Sequence, residues 1–352
     1  MRQVPKRQTN ENIVIVCEGS DTEYNYFNRI KEYIASNGIA TRYADIKVLP
    51  YRDEAIDDKK KKGNRRHRAL VNIQPYRYYT QTEQDEATYN TFKQQPTRYV
   101  REAKLFIEEN GYTEGWAVFD KDVHPDHAHA FQYAQEAGIR IAFSSYSFEE
   151  WILCHYERNC HAFSASECKS QDNRKKKLGC DFTHGCRGNE CIGGYLRAKG
   201  YVANYSKTES QTFVPQLIEK ATINAAWLRS LSNQPIYLRN PYCDVDYLVN
   251  RLLGIDKEYV WIPLGGRFVY ENTYLSVVFE NKEAIVTNDG QVAIIIPCLM
   301  FFDESGNSML NAAFDCQTHI LNPKDKVNIK VPIGAAVLSL HSGAMQYFFD
   351  LC

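Results

Sequence analysis

No stretch of this chain stays apolar for long. The longest such run, Val292 to Phe302, covers eleven residues and is broken by Pro297, against the roughly 20 that a transmembrane helix needs. The opening MRQVPKRQTNEN has basic residues but no hydrophobic segment of leader length, so neither a signal peptide nor a membrane partner is expected. An excess of one charge is also missing. The 42 Lys and Arg meet 43 Asp and Glu, a net charge of −1, which excludes a uniformly basic nucleic-acid binder and leaves room for a local basic patch. At 44% apolar and 24% charged, the composition is globular rather than disordered. The length of 352 residues suggests two domains. Eleven cysteines with no leader before them read as reduced thiols of a cytoplasmic protein, some of them available to a metal.

The first half reads as an α/β layer. Ile13-Val-Ile-Val16 is a short β-branched run of the kind buried in a parallel sheet. Cys17-Glu-Gly19 makes the turn, and Ser20-Asp-Thr-Glu23 has the form of a capping box. The helix it opens carries Tyr24, Phe27, Ile30 and Ile34 and stops near Gly38. Over 44–96 the pattern lapses, apart from a strand at Ile46 to Leu49, then resumes with a helix at Thr97–Asn110. Strands follow at Trp116–Phe119 and Ile139–Phe143, separated by a helix from His127 to Ala137 that Gly138 closes. Further helices are expected at Ser147–Tyr156, 211–230 and 243–253.

Glu18, Asp120 and Asp122 each fall just past the end of an expected buried strand, the edge where open α/β sheets place their sites. Three converging carboxylates repel unless a cation lies among them, and an all-oxygen set suits Mg²⁺ or Mn²⁺. In Asp-x-Asp the middle residue points away, leaving both carboxylates on one side, and Gly19 lets the backbone turn tightly after Glu18. The bland alternative, that these are solvated strand-end residues or helix caps, applies to each acid taken singly.

This pattern resembles the Toprim domain. The segments IVIVCEGSDTEYNYF (13–27), WAVFDKDVHPD (116–126) and AFSSYSFEEWILCHY (142–156) are similar to those of the RloB-like proteins, a prokaryotic Toprim family of anti-phage defence. NYSKTES (204–210) and NPYCDVDYLV (240–249) resemble later landmarks of that family. The likeness covers roughly 10–255 and omits a basic insertion, a cysteine-rich segment and the C-terminal part. It implies metal-dependent phosphodiester cleavage, with Asp120 and Asp122 holding Mg²⁺ and Glu18 as general acid/base or a further ligand. Gly19, Asp126, Glu149 and Lys207 are secondary candidates, Asp126 or Glu149 as an outer ligand and Lys207 as a phosphate contact. For Glu149 a structural hydrogen bond, and for His155 a core position, are the plain readings.

Two segments add to this. Lys59, Lys60, Lys61, Lys62, Arg65, Arg66, His67 and Arg68 form a basic run, and Tyr76, Tyr78 and Tyr79 follow it. Cations for phosphates beside tyrosines for unpaired bases favour looped or single-stranded nucleic acid, against the alternative of a solvated charge run. Residues 157–195 are rich in cysteine. Cys168, Cys180, Cys186 and Cys191, with His184 or Cys160 as substitutes, could hold a structural Zn²⁺ that would explain how a coreless segment folds. The alternative is unconnected thiols in a loop.

From about 257 the texture changes to short alternating runs between turn signals at Asn288-Asp-Gly290, Asp303–Gly306 and Asn322–Asp325, the mark of an all-β, sandwich-like domain. Tyr270, Tyr274, Val277, Phe279 and Ile294–Ile296 are its expected strand and core positions. It shows no catalytic constellation and reads as a regulatory or docking domain over 257–352.

The resulting expectation is a Toprim-like parallel-sheet nuclease domain at 10–255 with a β-rich domain after it, acting on RNA, with tRNA as a candidate, ahead of DNA. A DNA-nicking enzyme is the close alternative. By analogy with defence nucleases, a partner ATPase or a nucleotide second messenger, such as one from a CRISPR complex, would activate it, and a homo-oligomer is compatible. Readings of another class are a silent nucleic-acid or nucleotide-binding module and a scaffold that recruits an effector.

Overall fold

The computed structural model describes residues 11–19, 21–50, 96–121, 126–166, 190–202, 212–296, 299–304, 306, 308–309 and 318–351. Among them, no helix is long and apolar enough to cross a membrane. By contacts, the described residues fall into two compact units. One draws on Met1–Ile152, His161–Val214 and Gln234–Gly254, the other on Leu153–Cys160, Pro215–Asn233 and Ile255–Cys352.

In the first unit, β1 (Glu11–Cys17) leads into α1 (Thr22–Asn37) and β2 (Tyr43–Pro50). Next come α2 (Thr97–Asn110), β3 (Glu114–Asp120), α3 (His127–Ala137), β4 (Arg140–Ser145) and α4 (Glu149–Cys154), whose last two residues fall in the second unit. The short α5 (Ile192–Ala198) follows, while α6 (Ile218–Ser230) belongs to the second unit. Then β5 (Tyr242–Cys243) and α7 (Val245–Leu253) complete the first unit. The sheet order is β2-β1-β3-β4-β5, parallel except for β5, which is antiparallel to β4. Alternation along the strands splits the core between two faces. Val14, Val16, Ala117 and Phe119 pack with Tyr99, Val100 and Ala103 of α2 and Ala130 and Ala134 of α3. Burying both faces is what allows the near-continuous apolar runs of β1 and β3.

The start of α1 differs from the capping-box expectation. Asp21 is the N-cap and makes no side-chain cap bond, while Ser20 lies outside the described residues. Glu23 is instead buried near Gly19, where a Cβ on the glycine would come 3.1 Å from its Oε2. Gly138 takes the left-handed conformation (φ 68°) that ends α3.

The second unit is β-rich, as the alternating texture indicates. Its strands are β6 (Glu258–Trp261), β7 (Arg267–Tyr270), β8 (Thr273–Glu280), β9 (Glu283–Asn288) and β10 (Ile294–Ile296). The series continues with β11 (Met300–Phe302), β12 (His319–Leu321), β13 (Lys326–Lys330), β14 (Val337–Ser342) and β15 (Met345–Asp350). Two four-stranded sheets, β11-β14-β15-β6 and β13-β9-β8-β7, share one core that includes Phe268, Tyr270, Val277, Leu338, Leu340 and Phe349. Tyr270 and Tyr347 bury their rings and donate their hydroxyls to His341 and Val269 carbonyls at 2.7 and 2.9 Å. Among the described residues of these sheets, only β6 and β15 pair in parallel. Tyr274 and Ile295, expected as strand and core positions, lie in β8 and β10 but are exposed. The two-residue period turns them outward while Leu275 and Ile294 point in.

The Asn288-Asp-Gly290 turn is held by a fully buried amide. Asn288 Nδ2 donates to the Val292 and Leu321 carbonyls at 2.8 and 3.0 Å, and its Oδ1 accepts from Gly290 N–H at 3.0 Å. Asn288→Ala leaves three main-chain groups without those partners and should cost about 2–4 kcal/mol, read as a lower urea midpoint for this unit. Asn288→Asp should not restore it, because a carboxylate cannot donate.

Candidate functional site

The strand order reverses direction between β1 and β3. The chain goes from β1 outward to β2, then returns to the other side of β1 for β3 and β4. Crevices form beyond the carboxyl ends of the strands at such a switch point. Glu18 and Asp120 stand on its two sides. Glu18 N–H still donates to the Val118 carbonyl at 2.9 Å, so the β1–β3 ladder holds up to that residue. One step further the ladder opens. Asp120 N–H donates to Glu18 Oε2 at 3.2 Å, where a continued parallel ladder would have used the Glu18 carbonyl. That bond brings the two acidic residues together.

Lys121 continues the pairing with β4 through its N–H to the Ser144 carbonyl at 2.9 Å. Its side chain leaves the crevice, with Nζ 3.0 and 3.1 Å from the Leu238 and Arg239 carbonyl oxygens. Burial pushes the Lys121 ammonium below its ordinary pKa. Asp122 itself lies outside the described residues, as do Lys207, Cys168, Cys180, His184, Cys186, Lys59–Arg68, Tyr76, Tyr78 and Tyr79.

The other described candidates have local partners. Asp126 caps α3, its Oδ1 accepting from His129 N–H at 3.4 Å. Glu149 is buried and accepts from Ser147 Oγ at 2.5 Å, the satisfied hydrogen bond that a buried carboxylate needs. His155 is buried too, in keeping with its core reading. Cys191 is buried at the start of α5, Cys160 is exposed, and neither forms a disulfide. Among the described residues, no set of three or more His, Cys, Asp or Glu side chains stands where it could share a metal ion. Glu18 and Asp120 supply two hard oxygen donors, and the third acid of the sequence pattern is Asp122.

Sequence reasoning passed over three residues near these acids. Tyr99, in the first turn of α2, is buried. Burial raises its phenol well above the ordinary tyrosine range, and the Glu18 and Asp120 charges add to the effect. It therefore stays a neutral hydroxyl beside two acids. Glu23 stands near Gly19, and after burial its charge is the second cause that raises the Cys17 thiol. His127, the first residue of α3, places Nε2 3.2 Å from the Asp120 carbonyl oxygen. The Glu18-to-Glu23 spacing was the one signal available, and it was absorbed by the capping-box reading. Tyr99 and His127 reach the site only through the packing of α2 and α3.

No curated protein and no solved structure matches this chain. The family model described as RloB-like protein matches residues 13–252, and the chain belongs to that family.

Proposed function

We propose that the first unit is a Toprim-type, divalent-cation-dependent nuclease. The observation that carries this reading is the meeting of Glu18 and Asp120 across the β1–β3 switch point. Glu18, Asp120 and Asp122 would hold Mg²⁺ or Mn²⁺, and the oxygen-only donor set fits such a hard cation. When bound, the cation supplies charge neutralisation at a phosphodiester and activation of the attacking oxygen. The chain's own work is positional. Glu18 uses one carboxylate oxygen to hold the Asp120 peptide, and Lys121 anchors the strand end on the Leu238 and Arg239 carbonyls. The Tyr99 phenol, kept protonated by burial and by the charges of both acids, stays a neutral group in their field.

RNA is the favoured substrate, with tRNA as a candidate, because the basic run at 59–68 and the tyrosines at 76–79 combine phosphate and base recognition. The cysteine-rich segment is proposed as a structural zinc site, and the β-rich unit as the place where a partner or nucleotide signal acts.

The test is sequencing of RNA and DNA ends in cells that express wild-type protein or Asp120→Ala/Asp122→Ala, with and without phage challenge. New RNA ends in wild type only are the expected result. New DNA ends would move the reading to a DNA nuclease. Identical profiles from folded, triggered proteins would replace it with a binding module.

A further inference from the structure

Asp120 is the residue at which the β1–β3 ladder comes apart, and both of its main-chain groups on that edge have been taken over by side chains. Its N–H goes to Glu18 Oε2 at 3.2 Å. Its carbonyl oxygen is 3.2 Å from Nε2 of His127. A carbonyl can only accept, so Nε2 carries the proton. The His127 ring is itself wedged. It is 9% exposed and lies 6.3 Å from Phe119 and 5.8 Å from Phe143, centroid to centroid. Phe119 and Phe143 belong to β3 and β4, so the imidazole is set by the same strands whose end it grips. Its backbone is set by α3, whose N-cap is Asp126.

A strand end with two unanchored main-chain groups can pivot, and its side chain pivots with it. Here the peptide is clamped from both sides, by Glu18 from β1 and by His127 from α3. We infer that His127 is a positioning residue for the Asp120 carboxylate, holding it where it can share a divalent cation with Glu18. It acts through the Asp120 main chain and touches no reacting atom. This inference rests on the cation reading above.

The test uses the full-length protein and Mn²⁺ alone, with binding followed by electron paramagnetic resonance well below the melting temperature. His127→Ala should raise the Mn²⁺ dissociation constant by about 10–100-fold, the usual effect of losing a group that orients a ligand. His127→Gln, whose Nε2 can still donate to the carbonyl, should return it to within ~3-fold of wild type. Circular dichroism checks that each variant is folded, and a change in melting temperature alone does not move the affinity of the folded protein. Wild-type affinity in a folded His127→Ala, or a folded His127→Gln no better than Ala, would overturn the positioning role and leave the cation reading intact. If Ala does not fold, Gln and Asn are compared, since Asn is too short to reach, and equal affinities overturn the role. A wild-type protein that binds no Mn²⁺, or an Asp120→Asn variant that binds it equally well, would remove the cation reading and this role together.

Discussion

Asp120→Asn should lower divalent-dependent cleavage by at least about a thousandfold, equivalent to about 4 kcal/mol of transition-state stabilisation. The substitution is nearly isosteric and leaves the Asp120 N–H free to keep its bond to Glu18, so the melting temperature should stay within a few degrees of wild type. What it removes is one negative charge at the switch point, and with it one of the acids proposed to hold the cation. The Glu18 carboxylate combines two jobs that its variants separate. Glu18→Gln keeps an oxygen to accept the Asp120 N–H at the position now 3.2 Å away but loses the charge. Glu18→Ala loses both. If the charge is what matters, Gln and Ala should be similarly inactive while only Ala loosens the strand end, read as faster amide exchange at Asp120. A Glu18→Gln protein with wild-type cleavage would reduce Glu18 to a structural acceptor.

The largest effect on stability is expected at Glu114, at the opposite end of β3. Its carboxylate receives Arg251 Nε and Nη2 at 2.5 and 2.6 Å, Trp116 Nε1 at 2.7 Å and Tyr43 hydroxyl at 2.9 Å. These bonds join β2, β3 and α7 through one side chain that is 10% exposed. Glu114→Ala leaves a guanidinium, an indole N–H and a phenol without their shared acceptor, and should cost about 3–5 kcal/mol. Arg251→Ala should cost less, since Glu114 keeps Trp116 and Tyr43, and the double variant less than the sum of the two.

The same residue predicts a pH dependence. Burial works to raise the Glu114 pKa, but its hydrogen bonds to Arg251, Trp116 and Tyr43 outweigh burial and hold it below the ordinary glutamate value. In the window between the folded and unfolded values, the unfolded chain binds more protons, so stability rises with pH there. The contribution is complete above the unfolded glutamate pKa of about 4.3 and is lost as pH falls through the folded value. Urea melts from pH 6 downward should show Glu114→Gln losing less stability than wild type. Parallel curves would remove Glu114 as a cause of acid sensitivity.

The same features explain how much could be read before the structure. The β-branched run at 13–16 and the apolar Trp116–Phe119 were legible because a parallel strand covered on both faces has no polar side to show. Glu18 and Asp120 were legible because each interrupts such a run at its carboxyl end. Tyr274 and Ile295 lie in strands as expected but face outward, because composition makes both suitable for a core while facing is set by strand register. The capping box misled because Asp21, rather than Ser20, is the N-cap of α1.

The amino-acid sequence alone determined the α/β order, the β-rich second part, the family and the two acids described here, since local periodicity and short motifs carry all of these. Only the tertiary structure decided which strands are neighbours. From that follow the switch point between β1 and β3, the carboxylate of Glu18 on the Asp120 peptide, and the arrival of Tyr99 and His127 from two helices. Those contacts join residues up to 102 positions apart. Spacing along a chain encodes what lies on one helix face or one side of a strand, and holds no record of what packing brings to it from elsewhere.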